Sequence, residues 1–244
     1  MNSIELSVIM PTYNEEDIIL HSISKVIEIL DKNEIKFELI IVDDGGTDNT
    51  KKNALSIKDQ RVKIIGYKKN AGKGFALKYG YQNAVGKYII FYDSDLDIPP
   101  EEIVKFLDII KKTDKDIVIG SKRLKESEVE YPLIRSILSI SYHLFVKLLF
   151  NIKVMDTQTG IKIFKKEVLD NIMDKTFVNK YAYDIEILVI ATMLNYTIKE
   201  SPVKINLKSK KSHVKFKNIA AMFIDTFAIF YRLKITRDKK KRYF

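Results

Sequence analysis

The sequence Asp-Ser-Asp-Leu-Asp at 93–97 constrains this chain more than any other stretch, because three carboxylates alternate directly after an apolar run. The run Tyr88–Tyr92 has the composition of a buried strand, and a Pro-Pro pair at 99–100 favours a turn soon after it. Paired carboxylates at the rim of a sheet repel one another unless a cation lies between them. Such oxygen ligands suit Mg²⁺ or Mn²⁺, which commonly arrive with a substrate's phosphates. The alternative is a polar loop in which Asp97 caps a helix over 100–112.

Apolar strands alternate with amphipathic helices through the first half of the chain. Strands are predicted over 6–10, 37–42, 62–66, 88–92 and 116–119, with helices between them over 18–30, from 49, over 72–84 and over 101–111. This pattern favours an α/β fold with a mostly parallel sheet covered by helices on both faces. Ligands of such sheets bind at the carboxyl ends of the strands. Polar residues follow three of these strands, at 13–15, 43–44 and 93–95, which indicates one site at that edge.

Composition limits the kinds of site that the chain can build. Its 244 residues, 46% of them hydrophobic, suffice for one large domain. It has no cysteine, which excludes disulfides and thiolate zinc sites, and its three histidines, at 21, 143 and 213, are too dispersed to favour a histidine-based metal site. The first residues lead into a strand almost at once, so no signal peptide is expected.

The positive charge of the chain is concentrated at its C-terminal end. The net charge is +10, and residues 204–244 alone contain thirteen basic and two acidic side chains. The rest of the chain is therefore nearly neutral, and the C-terminal part is expected to meet an anionic surface.

Two long apolar segments, 133–150 and 219–233, carry charged residues too often to be predicted as membrane-spanning helices. Their amphipathic pattern, with flanking Lys and Arg, fits helices that lie in a membrane interface. The alternative is that they pack on the sheet or on each other. We predict a catalytic domain over 1–212, which includes the helix at about 133–150, and an amphipathic helix with a basic tail over 213–244.

Five sequence blocks resemble the family-2 glycosyltransferases and follow the family order over about residues 4–212. They are the run from 7 to 15, Ile-Val-Asp-Asp-Gly at 41–45, Asp-Ser-Asp at 93–95, Asp-Thr-Gln-Thr-Gly-Ile-Lys-Ile-Phe at 156–164 and Tyr-Asp-Ile-Glu-Ile-Leu at 183–188. The last two are similar to the polyprenyl-phosphate branch, which includes dolichol-phosphate glucosyl- and mannosyltransferases. The resemblance implies a Rossmann-like, GT-A-type nucleotide-sugar-binding domain with a mixed, mostly parallel sheet and amphipathic C-terminal helices.

The resemblance also implies which residues contact the donor. It places these at the nucleotide sugar: Pro11, Tyr13, Asn14, Glu15, Asp43, Asp44, Lys73, Asp93, Ser94, Lys122 and Arg123. Asp43 resembles the acid that contacts the base and Asp44 its neighbour near the ribose, although both could instead cap the turn at 45–46. Gly46 replaces a capping Ser of the family, a role left to Thr47 or Asp48. Lys122 would hold phosphate less well than the Arg usual there.

Metal, catalytic and acceptor roles follow in the same way. Asp93, Asp95 and Asp97 are the expected ligands of Mg²⁺ or Mn²⁺, with Asp97 standing where many relatives have Gln. Asp95, Asp184 and Arg135 are the expected catalytic residues, although Arg135 could also be a snorkelling helix residue. Gln158, Thr159, Gly160 and Glu186 are expected at the sugar or the acceptor. Asp184 and Glu186 lie two apart on a predicted helix, so only one of them can face the site.

The implied reaction is inverting transfer of a hexose, from UDP-glucose or else GDP-mannose, to a polyprenyl or dolichyl phosphate. The enzyme would be peripheral at the cytoplasmic face of a membrane, without a transmembrane helix, and could rely on a membrane-anchoring subunit. A lipid phosphate is already anionic, so Asp184 would be a general base only with a soluble glycan acceptor, the first alternative. The others are a nucleotidyltransferase and a protein that binds nucleic acid through the basic tail, a partner that we do not expect.

Overall fold

The computed structural model describes residues 3–129, 133–180, 182–206 and 216–236, and the side chains at 133–139 and 216–219 are not described. The strands are β1 (Leu6–Thr12), β2 (Phe37–Asp44), β3 (Val62–Tyr67), β4 (Tyr88–Tyr92), β5 (Ile117–Ser121), β6 (Glu128–Val129), β7 (Ile161–Lys165), β8 (Ile198–Pro202) and β9 (Lys204–Ile205). The helices are α1 (Ile19–Lys32), α2 (Thr50–Ala54), α3 (Lys73–Tyr81), α4 (Glu101–Thr113), α5 (Leu133–Phe150), α6 (Lys166–Ile172), α7 (Tyr183–Met193) and α8 (Phe216–Phe230), which continues as a π-helical segment, Tyr231–Thr236.

Seven strands form one mixed sheet in the order β3-β2-β1-β4-β7-β5-β8, and β6 pairs with β9 separately. Within the large sheet only β7 runs antiparallel to its neighbours, β4 and β5. The predicted fold class is therefore confirmed, with all five predicted strands present. Of the two additional strands, β7 lies between β4 and β5, and β8 extends the sheet beyond β5.

The first strand continues beyond the proline that was expected to close it. Pro11 pairs with Val42 and Thr12 with Asp43 in the parallel β1–β2 ladder. The carbonyl of Pro11 accepts a hydrogen bond from Ser94 Oγ at 3.3 Å, so the hydrogen-bonding side of Pro11 faces β4. The β1–β4 ladder has already ended at Ile9. The N–H that proline lacks is therefore not needed at position 11, and Pro11 can remain in the strand. For this reason the predicted strand end at Met10 was wrong.

The strand register brings several loops to one edge of the sheet. Thr12 at the end of β1 lies beside Asp43 in β2. Tyr92 at the end of β4 pairs with Ile161 at the start of β7. Because β7 is antiparallel, its first residue lies at the edge where β1, β2 and β4 end. The loop at 156–160 therefore meets the carboxylates that follow β4.

The sheet separates two apolar layers, as expected for a sheet covered on both faces. Alternate residues of β1 point to opposite sides, with Ile9 in one layer and Val8 and Met10 in the other. Helices α1 and α4 cover the Val8 side through residues such as Ile23 and Phe106. The Ile9 side is covered by apolar residues of α3, α5, α6, α7 and α8.

Helices α5 and α8 pack against each other, which was the alternative to two helices lying in a membrane interface. The hydroxyls of Tyr142 and Thr226 are 2.6 Å apart, and the rings of Phe145 and Phe223 are 4.9 Å apart. Ile229 of α8 belongs to the same core as the sheet. Leu148 nevertheless remains 82% exposed, so packing does not cover every apolar face of these helices.

No helix within the described parts of the chain combines the length and the apolarity that a bilayer span requires. Most of the basic tail, residues 207–215 and 237–244, lies outside the described residues.

Candidate functional site

A cleft of about 490 Å³ opens at the carboxyl edge of the sheet. Its walls come from the ends of β1, β2 and β4, from the loop before α3 and from the loop before α7. The lining residues are Pro11, Thr12, Tyr13, Glu15, Asp44, Asn70, Gly72, Lys73, Asp93, Ser94, Asp95 and Lys180. Seven of the residues expected at the donor, together with the expected metal ligand Asp95, therefore line a single cleft, whereas Thr12, Asn70, Gly72 and Lys180 were not predicted as site residues.

Asp93 is held between a lysine and a glycine. Its Oδ1 lies 2.6 Å from Nζ of Lys73. On the other side, a Cβ added to Gly160 would collide with the Asp93 carboxylate. Gly160 thus acts as a spacer that lets the carboxylate occupy this position, and it does not itself line the cleft.

Asp95 concentrates negative charge on the wall of the cleft. Its Oδ1 accepts a hydrogen bond from the backbone N–H of Asp97 at 3.0 Å. Burial, together with the charge of Asp93, raises the pKa of Asp95 to about 6. Burial and the charge of Asp95 raise the pKa of Glu15 to about 7. A cation placed among these groups would relieve the charge repulsion that, after burial, contributes to their raised pKa values.

The acidic groups fit a metal that a substrate helps to bind. Among the described residues, no three Asp, Glu or His side chains are arranged to hold an ion by themselves, and Asp97 is not among the residues that line the cleft. Mg²⁺ usually takes one or two carboxylates and completes its shell with water and substrate phosphates. Asp93 and Asp95 can supply that pair, so the donor set fits Mg²⁺ or Mn²⁺ bound together with a diphosphate.

Asp44 organises the loop that precedes α3. Its buried carboxylate accepts hydrogen bonds from the hydroxyl of Tyr67 at 2.8 Å, from Nδ2 of Asn70 at 3.0 Å, and from the backbone N–H groups of Ala71 and Gly72 at 2.8 and 3.0 Å. These contacts place Lys73, the first residue of α3, at the cleft. Asp44 therefore stabilises the loop before α3, in addition to lying beside the expected ribose site.

Asp43 and Asn14 stabilise the adjoining turn. Oδ1 of the buried Asp43 accepts from the N–H of Gly46 at 3.2 Å, which is the turn-capping arrangement. Asn14 Oδ1 accepts from the N–H of Thr47 at 2.8 Å. Neither Asp43 nor Asn14 is among the lining residues, whereas Tyr13 exposes 47% of its surface there.

Asp156 ties the loop at 156–160 to the end of β5. It is buried and accepts from the N–H of Lys122 at 3.0 Å, from the N–H of Gln158 at 3.0 Å and from Oγ1 of Thr159 at 2.7 Å. The pKa of Asp156 is lowered because Lys122 and these hydrogen bonds outweigh the opposing effect of burial. Lys122, Arg123, Gln158 and Thr159 are not among the residues that line the cleft.

Asp184 and Glu186 occupy different environments on α7. Oδ1 of Asp184 lies 2.8 Å from Nζ of the buried Lys162, and that ammonium also donates to the carbonyl of Thr159 at 2.6 Å. Burial alone would lower the pKa of Lys73, but the negative charges of Asp93 and Asp184 outweigh this effect, and the pKa is raised. Asp184 therefore lies close enough to interact with Lys73, which lines the cleft. Glu186 is fully buried instead and accepts from the N–H groups of Phe177 and Val178.

Arg135 lies in α5, and its side chain is outside the described part of the structure. Its role at the acceptor or donor phosphate therefore stays a prediction.

Comparisons with known proteins agree with this geometry. Residues 7–173 match the family model described as glycosyl transferase family 2. The dolichyl-phosphate beta-glucosyltransferase of Dictyostelium discoideum is 34% identical to the chain over 218 residues, which are 83% of this chain and 67% of that protein. The enzyme of the same name from Saccharomyces cerevisiae is 31% identical over 260 residues, covering 97% of this chain and 78% of that protein.

The solved structures that resemble the chain show the same fold. One is glucosyl-3-phosphoglycerate synthase from Mycobacterium tuberculosis in complex with Mn²⁺, UDP-glucose and phosphoglyceric acid. Its TM-score is 0.70 at 19% identity, over 93% of this chain and 79% of that chain. Because the family model covers most of the chain and the two curated relatives cover 83% and 97% of it, the chain is a glycosyltransferase and belongs to glycosyl transferase family 2.

Proposed function

We propose that this enzyme transfers glucose from UDP-glucose to the phosphate of dolichol or a related polyprenol. The names of the curated relatives support glucose as the transferred sugar and dolichyl phosphate as the acceptor. The observation that carries the proposal is the convergence of Asp93, Asp95 and Lys73 on one cleft at the end of β4. Two carboxylates beside an ammonium form a site for a metal-bound diphosphate.

The donor would lie along the cleft with its uridine against the ends of β1 and β2. Tyr13 offers an exposed aromatic ring for the base, and Asp43 and Asp44 stand at the end of the neighbouring strand. Lys73 lies where it can contact the diphosphate. Asp95 and Asp93 would hold Mg²⁺ or Mn²⁺, which supplies positive charge against the charge that grows on the departing UDP.

Transfer would be a single displacement at the anomeric carbon. An oxygen of the lipid phosphate forms the new bond to this carbon while the bond to the diphosphate oxygen breaks, and the anomeric configuration inverts. The attacking oxygen is already anionic, so no general base is required. Asp184, held by Lys162, would position the sugar or the acceptor, and Lys162 also contacts the loop at 156–160 through the carbonyl of Thr159. Arg135 remains a proposed contact of the acceptor or donor phosphate.

A lipid acceptor requires the enzyme to reach a membrane surface. Leu144 and Leu148 of α5 are 59% and 82% exposed, and Ile224 and Phe227 of α8 are 69% and 54% exposed. These four side chains, with the basic residues of the C-terminal part, form the proposed docking surface. Each Lys or Arg near an anionic leaflet contributes about 1 kcal/mol. We place this docking at the cytoplasmic face, with or without a membrane-anchoring subunit.

The test is transfer by the purified enzyme from UDP-glucose and from GDP-mannose, each offered with a short polyprenyl phosphate or a soluble glycan. We expect product from UDP-glucose and the lipid phosphate in Mg²⁺ or Mn²⁺, and none in chelator. Transfer to the soluble glycan in the absence of lipid phosphate would refute the proposed acceptor, and preference for GDP-mannose would refute the donor.

A further inference from the structure

An ion pair outside the cleft connects α7 to the end of the C-terminal helix. Glu186 is fully buried, and its carboxylate accepts from the N–H groups of Phe177 and Val178 at 2.9 and 2.8 Å and from the guanidinium of Arg232. Burial raises the pKa of Glu186, against the opposing effects of Val178 and Arg232. A buried carboxylate is retained at such a cost only with its partners in place.

Arg232 also contacts the segment at 175–178 directly. Its Nη1 donates to the carbonyl of Lys175 at 3.1 Å, and its guanidinium lies over the ring of Phe177 at 4.5 Å from the centroid. The planar fork of arginine can make these contacts together with the ion pair, which the ammonium of a lysine does less well. The backbone from 175 to 178 is therefore fixed by two side chains, Glu186 and Arg232.

The fixed segment leads directly into the wall of the donor cleft. The carbonyl of Asn179 accepts from the N–H of Phe75 at 3.1 Å. Gly72 has a φ of +99°, and a Cβ added there would lie 2.6 Å from the Asn179 carbonyl and 3.0 Å from Cγ of Lys180. Lys180 then lines the cleft together with Lys73 and Asp93.

We infer that Glu186 and Arg232 are positioning residues for the donor site, and that they act by holding Lys180 against the diphosphate. This inference rests on the proposed function, because a diphosphate donor supplies the anionic group that Lys180 meets. The ammonium of Lys180 is a mobile point charge on an exposed side chain. Its contribution to binding therefore depends on a backbone that is fixed before the donor arrives.

The experiment is a double-mutant cycle on nucleotide binding, which requires neither an acceptor nor turnover. UDP is titrated into the 244-residue chain in Mn²⁺ by isothermal titration calorimetry. Lys180→Ala should weaken UDP binding about tenfold, the loss of one hydrogen bond to a charged group. Arg232→Gln should weaken it by a similar factor. If Arg232 acts through Lys180, the double variant should bind UDP about as well as Lys180→Ala alone.

Two further variants distinguish a positioning role of Arg232 from an effect of its positive charge and from a loss of folding. Lys234→Gln removes one positive charge from the same π-helical segment and should leave UDP binding unchanged, because the Glu186 carboxylate is bound by Phe177, Val178 and Arg232 and not by Lys234. Arg232→Lys keeps the positive charge but lacks the planar guanidinium, and it should reduce UDP affinity by an intermediate factor. Thermal melts of all variants monitor folding, and if Arg232→Gln does not fold, the cycle is completed with Arg232→Lys.

Wild-type UDP affinity in the Arg232 variants would overturn the inference. So would additive losses from Arg232 and Lys180, since these would show two independent effects. GDP is titrated in parallel, and a wild-type enzyme that binds neither nucleotide would overturn both the inference and the proposed function. Nucleotide binding with the expected cycle but without transfer to lipid phosphate would refute only the proposed acceptor.

Discussion

Replacing Asp44 by Asn tests whether one buried carboxylate builds the donor cleft. The carboxylate accepts four hydrogen bonds, from the side chains of Tyr67 and Asn70 and from the N–H groups of Ala71 and Gly72. An amide of the same size has only one acceptor oxygen, so at least one donor must face its NH₂ group. The variant loses about one charge-assisted bond and weakens the others, so we expect it to be less stable by about 2–4 kcal/mol.

The assay is equilibrium unfolding in urea, with UDP binding measured on the same preparations. Asp43→Asn is the matched control, because Asp43 is the buried neighbour of Asp44 and accepts a hydrogen bond from the N–H of Gly46. An amide oxygen can keep that bond, so this variant should lose less than about 1 kcal/mol of stability. Asp44→Asn should also weaken UDP binding, since it releases the loop that carries Lys73. Equal stability of the two variants would refute the reasoning.

The remaining predictions concern docking, catalysis and pH. Leu148→Glu should weaken binding to anionic vesicles at least tenfold in a flotation assay, because insertion of a Leu side chain contributes about 1.5–3 kcal/mol; Leu55→Glu, at another exposed Leu, should not. Gly160→Ala should displace the Asp93 carboxylate and reduce turnover about tenfold to a hundredfold, with a small shift in melting temperature. A wild-type rate would show that this spacer is dispensable. Asp156 has a lowered pKa in the folded enzyme, so its stabilising effect should be complete above the ordinary aspartate pKa of 3.8 and be lost as the pH falls through the lower pKa of the folded state. Asp156→Asn should flatten that acid limb in pH-dependent urea unfolding, and an unchanged limb would contradict the assignment.

Local sequence patterns predict much of the fold because the first half of the chain is built from local elements. The apolar runs and helical periodicities locate β1 to β5 and the helices between them. The polar residues after β1, β2 and β4 meet at one edge because parallel strands end together. That geometric rule brings Asp93, Asp95 and Glu15 into one cleft without knowledge of their contacts.

Long-range contacts account for what the sequence does not reveal. The alternation in Ile-Lys-Ile-Phe-Lys at 161–165 is typical of a strand, but its place between β4 and β5 depends on a non-local pairing. The loop that is hydrogen-bonded to Asp44 lies more than twenty residues further along the sequence. Lys180 reaches the cleft because its neighbour Asn179 is hydrogen-bonded to Phe75 of α3 and packs closely on Gly72, contacts that no motif encodes. A single charged residue gives no sequence signal of that kind.

The docking surface shows how packing modifies an amphipathic pattern. The sequence groups Phe145 and Leu149 with Leu144 and Leu148 on one apolar face. In the structure, Phe145 contacts Phe223 of α8, whereas Leu144 and Leu148 remain exposed. Part of the face stabilises the helix pair, and the rest is left for the proposed membrane contact. A truncation that tests the basic tail must therefore spare α8, whose Ile229 is buried in the core.

The most direct test of the central claim is the metal dependence of UDP binding by the wild-type enzyme and by Asp95→Asn. If Asp93 and Asp95 hold a divalent ion against the diphosphate, Mn²⁺ should tighten UDP binding by the wild type at least tenfold over chelator. The Asp95→Asn enzyme should lose most of that gain while remaining folded. Equal UDP affinity of the wild type in Mn²⁺ and in chelator would contradict the account.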